Sequence, residues 1–120
     1  MGEVRAAVYA RTSSDQPSIG YQLADLRARV AEDAVRVPTE WELVDDGFSG
    51  ATGVRPALAR LRELIAAGGV ERLYVHSLDR LARTCALQSQ LVREFRAAGV
   101  DVVFVDRGRA APDGLRLGHA

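Results

Sequence analysis

The apolar positions of this chain fall into two alternating rhythms: short solid runs, and longer stretches with helical spacing. Residues 5–10 are a short, mostly apolar run, as expected of a central parallel strand covered on both faces. Ile19, Leu23, Leu26 and Val30 follow at spacings of four, three and four, which predicts an amphipathic helix ending near Asp33, and Pro38 prevents any continuation. Residues 41–44 predict a second strand. Leu58, Leu61, Leu64 and Ile65 mark a second helix, opened by Pro56 in a first-turn position and stopped by Gly68-Gly69. Residues 72–76 predict a third strand with alternating character. Residues 77–84 then lead into a third helix with Leu81, Cys85, Leu91, Val92 and Phe95 on its buried side, ended by Gly99. Residues 100–105 predict a fourth strand, and the segment from Asp106 onward has no sustained periodicity. The order β-α-β-α-β-α-β implies parallel strands joined by right-handed crossovers. The expected fold is an α/β, three-layer domain with a central, mostly parallel sheet of four or five strands flanked by helices.

Three polar segments follow three of these strands: residues 11–16, 45–55 and 77–83. The middle one is long for a βα connection, which makes it a candidate functional loop. Parallel connectivity brings all three to the carboxyl edge of the sheet, where open α/β folds bind ligands. Together they supply Arg11, Arg55, Arg80 and Arg83 around Ser13. Arg80 and Arg83, three apart, share one helix face if the helix has begun there. A guanidinium grips phosphate through a rigid fork, and a cluster of them suits a transition state with charge spread over phosphoryl oxygens. Taken alone, residues 8–15 read more simply as a strand–turn–helix junction; the convergence of three loops reverses that preference. Ser14 competes with Ser13 as nucleophile, and composition does not separate them. A Ser–His–Asp triad does not fit, because His76 ends a strand and reads as structural, and His119 lies in the tail. The general base is not derivable from the residues.

Composition changes this picture only in part. The 120 residues suffice for one domain with a proper core. Formal net charge is zero, so composition carries no nucleic-acid signature. All 16 cationic residues are arginine, which genome base composition explains and which excludes any mechanism that needs lysine. No run of 18 apolar residues exists to span a membrane, and no secretion leader is evident. The single cysteine, Cys85, cannot form an internal disulfide, which fits a cytoplasmic protein, and its helical pattern predicts a small core residue.

Four motifs occur in order. They are Tyr9-Ala10-Arg11-Thr12-Ser13; Ser18-Ile19 with Gln22; Asp46-Gly47-Phe48-Ser49-Gly50 followed by Arg55-Pro56-Ala57-Leu58; and Leu78-Asp79-Arg80-Leu81-Ala82-Arg83. Together they resemble the catalytic domain of serine recombinases, the resolvase/invertase superfamily. The segments 55–58 and 94–100 look most like the large serine integrases and transposon recombinases.

The resemblance implies a resolvase-like fold over residues 1–108, with 109–120 approaching a dimerisation helix. It implies DNA recombination, as in integration or transposition, without metal or other cofactor. Ser13 would attack a DNA phosphodiester and form a 5′-phosphoserine intermediate. Arg11, Arg80 and Arg83 would hold the scissile phosphate, and Asp79 would protonate the leaving 3′-oxygen or orient the arginines. Arg55 would complete the phosphate pocket, with Gln22 and Ser49 supporting it. The match to Arg-x-Ser selects Ser13 over Ser14. The partners implied are DNA and, in a longer form, homodimer and tetramer contacts. Family members continue into a long helix and a DNA-binding domain. The sequence stops before these, so this chain alone is expected to be inactive and mainly monomeric. Three other readings compete. A catalytically silent remnant would act as a regulatory interaction module. A receiver-like signalling module would use Asp45-Asp46 but lacks the lysine it needs. Metal-dependent phosphoryl transfer would use Asp15, Asp46 and Asp79.

Overall fold

The structure, a computed structural model, describes residues 4–12, 19–45, 56–82 and 84–106. Its elements run β1 (Ala6–Arg11), α1 (Ile19–Asp33), a 3-10 turn (Thr39–Trp41), β2 (Glu42–Asp45), α2 (Pro56–Ala66), β3 (Arg72–Val75), α3 (Leu78–Leu81), α4 (Cys85–Ala97) and β4 (Asp101–Phe104). The four strands form one sheet in the order β2-β1-β3-β4, and every pairing is parallel.

Alternate side chains of β1 face opposite layers, as a strand requires. Ala6, Val8 and Ala10 pack with Leu26 of α1 and Tyr74 of β3. Ala7 and Tyr9 point the other way, into a larger cluster with Leu58, Leu61 and Ile65 of α2 and Leu91, Val92 and Phe95 of α4. Thus α1 packs into one cluster, and α2, α3 and α4 contribute to the other. β3 is buried on both faces through Leu73, Tyr74 and Val75, so it lacks the half-exposed alternation expected from sequence. Its neighbours on either side are β1 and β4, and layers of helix cover both its faces.

The helix ends follow local chemistry. Thr84 caps α4, its hydroxyl accepting the Leu87 amide at 3.2 Å. At the other end Gly99 takes a φ of 86°, and the Gly99 and Val100 amides donate to the Arg96 and Phe95 carbonyls. This is the paired closure that a left-handed residue permits. The single third helix expected from sequence is two. Ala82 is fully extended (φ −160°, ψ 158°), which ends α3 at Leu81 and lets Thr84 start α4 afresh. Cys85 consequently opens α4 and is exposed, instead of packing as a core residue.

At the amino edge of the sheet, the Tyr74 hydroxyl donates to Asp33 at 2.7 Å, and Arg29 binds the same carboxylate from one helical turn back. The Tyr74 hydrogen bond, with the Arg29 and Arg72 guanidiniums nearby, holds the Asp33 carboxyl below its usual pKa. A lowered folded pKa means stability that is present above the ordinary aspartate range and lost as pH falls through the folded value. Asp33→Asn is therefore expected to cost about 1 kcal/mol at pH 7. Urea titrations should show the gap between variant and parent closing below about pH 4.

Candidate active site

β1 runs on through α1 to β2 on its left, whereas β3 runs on through α3 and α4 to β4 on its right. The chain therefore diverges between the carboxyl ends of β1 and β3. This switch point opens a crevice that no crossover covers.

Arg11, the last residue of β1, reaches across it. Its Nε donates to the Arg80 carbonyl at 3.3 Å, and its Nη2 donates to the Asp79 carbonyl. The planar guanidinium thus grips two successive peptide oxygens of α3, 68 and 69 residues away in the chain. A second contact fixes the backbone of Arg11 itself. Gln22, almost fully buried on α1, accepts from the Arg11 amide and donates to the Arg11 carbonyl, both at 3.1 Å. A carboxamide can do this because it carries an acceptor and a donor side by side. Gln22 therefore extends the hydrogen-bond ladder of β1 for one residue on the side where the neighbouring strand has ended.

On the other side of β1, the Thr12 amide donates to the Asp45 carbonyl at 3.1 Å. The Asp45 side chain is buried and accepts three hydrogen bonds, from the Tyr9 hydroxyl at 2.6 Å, the Ala57 amide at 2.9 Å and the Leu58 amide at 3.1 Å. Asp45 belongs to β2, one residue later than the strand end expected from sequence, and it is not part of a loop. Its carboxylate satisfies two first-turn amides of α2, at the positive end of that helix's dipole.

Of the site residues expected from sequence, Arg11, Gln22, Asp79 and Arg80 gather at the switch point. Asp79 and Arg80 enter through their carbonyls, as acceptors for Arg11. Ser13, Ser49, Arg55 and Arg83 lie outside the described residues, as do Asp15 and Asp46. α3 ends at Leu81 with Ala82 extended, so Arg80 sits on that short helix, and the expectation that Arg83 shares its face lies outside the described residues. His76 is structural in its setting: it is nearly buried, and its Nε2 lies 2.9 Å from Asp25 on α1. Among the described residues no group of three or more His, Cys, Asp or Glu could hold a metal ion.

Asp25 is a polar group without a signal in the sequence reading, and Tyr9 and Asp45, which that reading places in a motif and in a polar loop, bond to each other inside the protein. Asp45 carried a signal in hindsight. An acidic residue ends an apolar strand, and the Arg-Pro helix start that needs an anionic cap follows a loop later.

Comparison with known proteins adds to this geometry. The family described as "Resolvase, N terminal domain" matches residues 6–116. The transposon Tn3 resolvase of Escherichia coli is 38% identical over 100 residues, covering 83% of this chain and 49% of that protein. The chain thus spans about half the length of the curated relatives of this kind that it matches. Among solved structures, the N-terminal catalytic domain of TP901-1 integrase superposes with a TM-score of 0.73 at 30% identity, covering 85% of this chain and 77% of that one. A resolvase family site-specific recombinase from Streptococcus pneumoniae reaches a TM-score of 0.78 at 22% identity, covering 96% and 83%, and speaks for the fold alone.

Proposed function

The chain belongs to the resolvase N-terminal domain family, the catalytic domains of serine recombinases, and from that premise we propose that it breaks and rejoins DNA through a phosphoserine link formed at Ser13. The observation that carries this reading is the junction of Arg11 with the Asp79–Arg80 turn across the switch point. It brings the end of the strand that leads to Ser13 against the turn that bears Asp79 and Arg80.

In this mechanism the Ser13 oxygen attacks the phosphorus of a DNA phosphodiester. The P–O3′ bond breaks, a P–Oγ bond forms, and the 3′-oxygen leaves as a hydroxyl carrying a proton supplied by Asp79 or through it. The serine proton passes to solvent or to a nearby acceptor. Arg11, Arg80, Arg83 and Arg55 offset the charge that builds on the non-bridging oxygens, which is where phosphoryl transfer needs stabilisation. Gln22 and Ser49 hold the surrounding backbone and loop. One phosphoester replaces another, so rejoining by the reverse attack needs no nucleotide cofactor. Strand exchange in such a scheme takes place between DNA-bound copies of the enzyme, within a homodimer or tetramer. Among the described residues no helix is long and apolar enough to cross a membrane.

The test uses the natural full-length gene product and a pool of nicked duplexes prepared from host DNA. A covalent adduct should form, and peptide mass analysis should find a 5′-nucleotide phosphate on Ser13. Adduct yield should be the same with and without a divalent-metal chelator, since the charge is met by arginine and not by a metal. A link to the 3′-phosphate, or loss of the adduct on chelation, would overturn the reading.

A further inference from the structure

We infer that Asp45 is a positioning residue for this reaction, fixing the spacing between the segment that leads to Ser13 and the helix start that follows Arg55. The inference rests on the function proposed above, and its observations are independent of the arginine contacts at the switch point.

Asp45 is 3% exposed. A carboxylate taken that far out of water is costly unless its oxygens are satisfied. Among the described residues its partners come from two elements only. Tyr9, on β1, donates its hydroxyl to Oδ2; Ala57 and Leu58, in the first turn of α2, donate their amides to Oδ1 and Oδ2. The backbone carbonyl of the same residue accepts the Thr12 amide, the residue next to Ser13 in the chain. One residue therefore ties the end of β1 to the start of α2 through four hydrogen bonds. Arg55 directly precedes Pro56, the first residue of α2, so its backbone leaves from a point that Asp45 holds.

A helix cap serving stability alone asks only for an acceptor at the first-turn amides. Here the acceptor is also bonded to a tyrosine on the strand that carries Arg11, at a short 2.6 Å. The tyrosine orients the carboxylate, and the carboxylate orients the helix start. Asp45 touches no reacting atom in this scheme and acts through Arg55. Phosphoryl transfer by positioning is sensitive to such supports, since a misplacement of about 1 Å can cost roughly 100-fold in rate.

The test compares rates of adduct formation by the full-length protein at saturating DNA, on a duplex recovered from the nicked pool. Asp45→Asn turns one oxygen into a donor facing either the Ala57 amide, or the Leu58 amide and the Tyr9 hydroxyl together. It should slow adduct formation roughly 10- to 100-fold per folded molecule, with DNA affinity changed less than about threefold. Tyr9→Phe retains the carboxylate and its two amide bonds; it keeps the inference testable if Asp45→Asn does not fold, and should slow the step several-fold. The decisive measurement repeats Asp45→Asn, or Tyr9→Phe, in an Arg55→Ala background. A residue acting through Arg55 should then cost little more than Arg55→Ala alone, whereas a purely structural one should add its full effect. Full additivity, or unchanged rates for both single variants, overturns the inference. Failure of the parent protein to form any adduct on Ser13 would instead overturn the function on which it rests.

Discussion

Ser13→Ala in the full-length protein is expected to abolish the covalent protein–DNA adduct, lowering its rate by more than about 10⁴-fold. The proposed reaction passes through a bond from phosphorus to the serine oxygen, so an alanine leaves no atom to form it. Water is a poor substitute, because it is not held in place against the phosphorus as a residue of the chain is. The same substitution should leave DNA affinity nearly unchanged, because the charges that attract the backbone are guanidiniums, and binding would be read by titration at fixed salt. Ser14→Ala is the matched control. It removes an adjacent hydroxyl of equal chemistry and should leave the adduct in place. The opposite result for the pair would move the nucleophile to Ser14 and would also place Arg11 three residues from it in the chain instead of two.

Arg11→Lys is expected to slow adduct formation roughly 100-fold despite conserving charge. The guanidinium donates through Nε and Nη2 to the Arg80 and Asp79 carbonyls at the same time. A lysine ammonium is a point charge on a flexible stem and cannot span both oxygens in one plane. The α3 turn would lose its tie to β1, and with it the register of Asp79 and Arg80 against the serine-bearing segment. Arg11→Ala should be no more than a few-fold worse if this tie dominates, and far worse if direct neutralisation of the phosphate dominates. Single-turnover rates for the two variants at saturating DNA separate these contributions. Gln22→Ala should weaken the same region from the other side, since both its hydrogen bonds fall on the Arg11 backbone.

The layers and strand directions could be read from the chain because the longer helices repeat an apolar face and short, largely apolar runs alternate with them. Ile19, Leu23, Leu26 and Val30 share one cluster, as their spacing predicts, and all four strands are parallel. What was not legible depended on single residues. Nothing in the run from Leu78 onward announces that Ala82 is extended, because alanine is a good helix former and only the cap at Thr84 shows where a new helix begins. Cys85 was misplaced for the same reason, since one unbroken helix would have rotated it inward. Arg11, Asp79 and Arg80 meet at the sheet edge where their places at the end of β1 and after β3 put them. Their bonding was not legible: Arg11 reaches backbone carbonyls, and carbonyls carry no sequence signature. Asp45 has the sequence character of the loop that follows it, because acidic residues are rare at buried strand ends and the partners that satisfy it lie 12, 13 and 36 positions away.

The strand order has a consequence for how the molecule opens. β1 and β3 are the two interior strands, and each is hydrogen-bonded on both sides. Fluctuations that peel a sheet begin at its rims, so β2 and β4 can detach at lower free energy than the pair between them. The strands that launch Arg11 and the Asp79–Arg80 turn therefore sit in the part of the protein that opens last. Asp45 rides on a rim strand, and its hold on α2 can loosen while the central pair stays shut. Excursions of β2 would loosen the start of α2 without dissolving the junction of Arg11 with α3, giving the two junctions separate lifetimes.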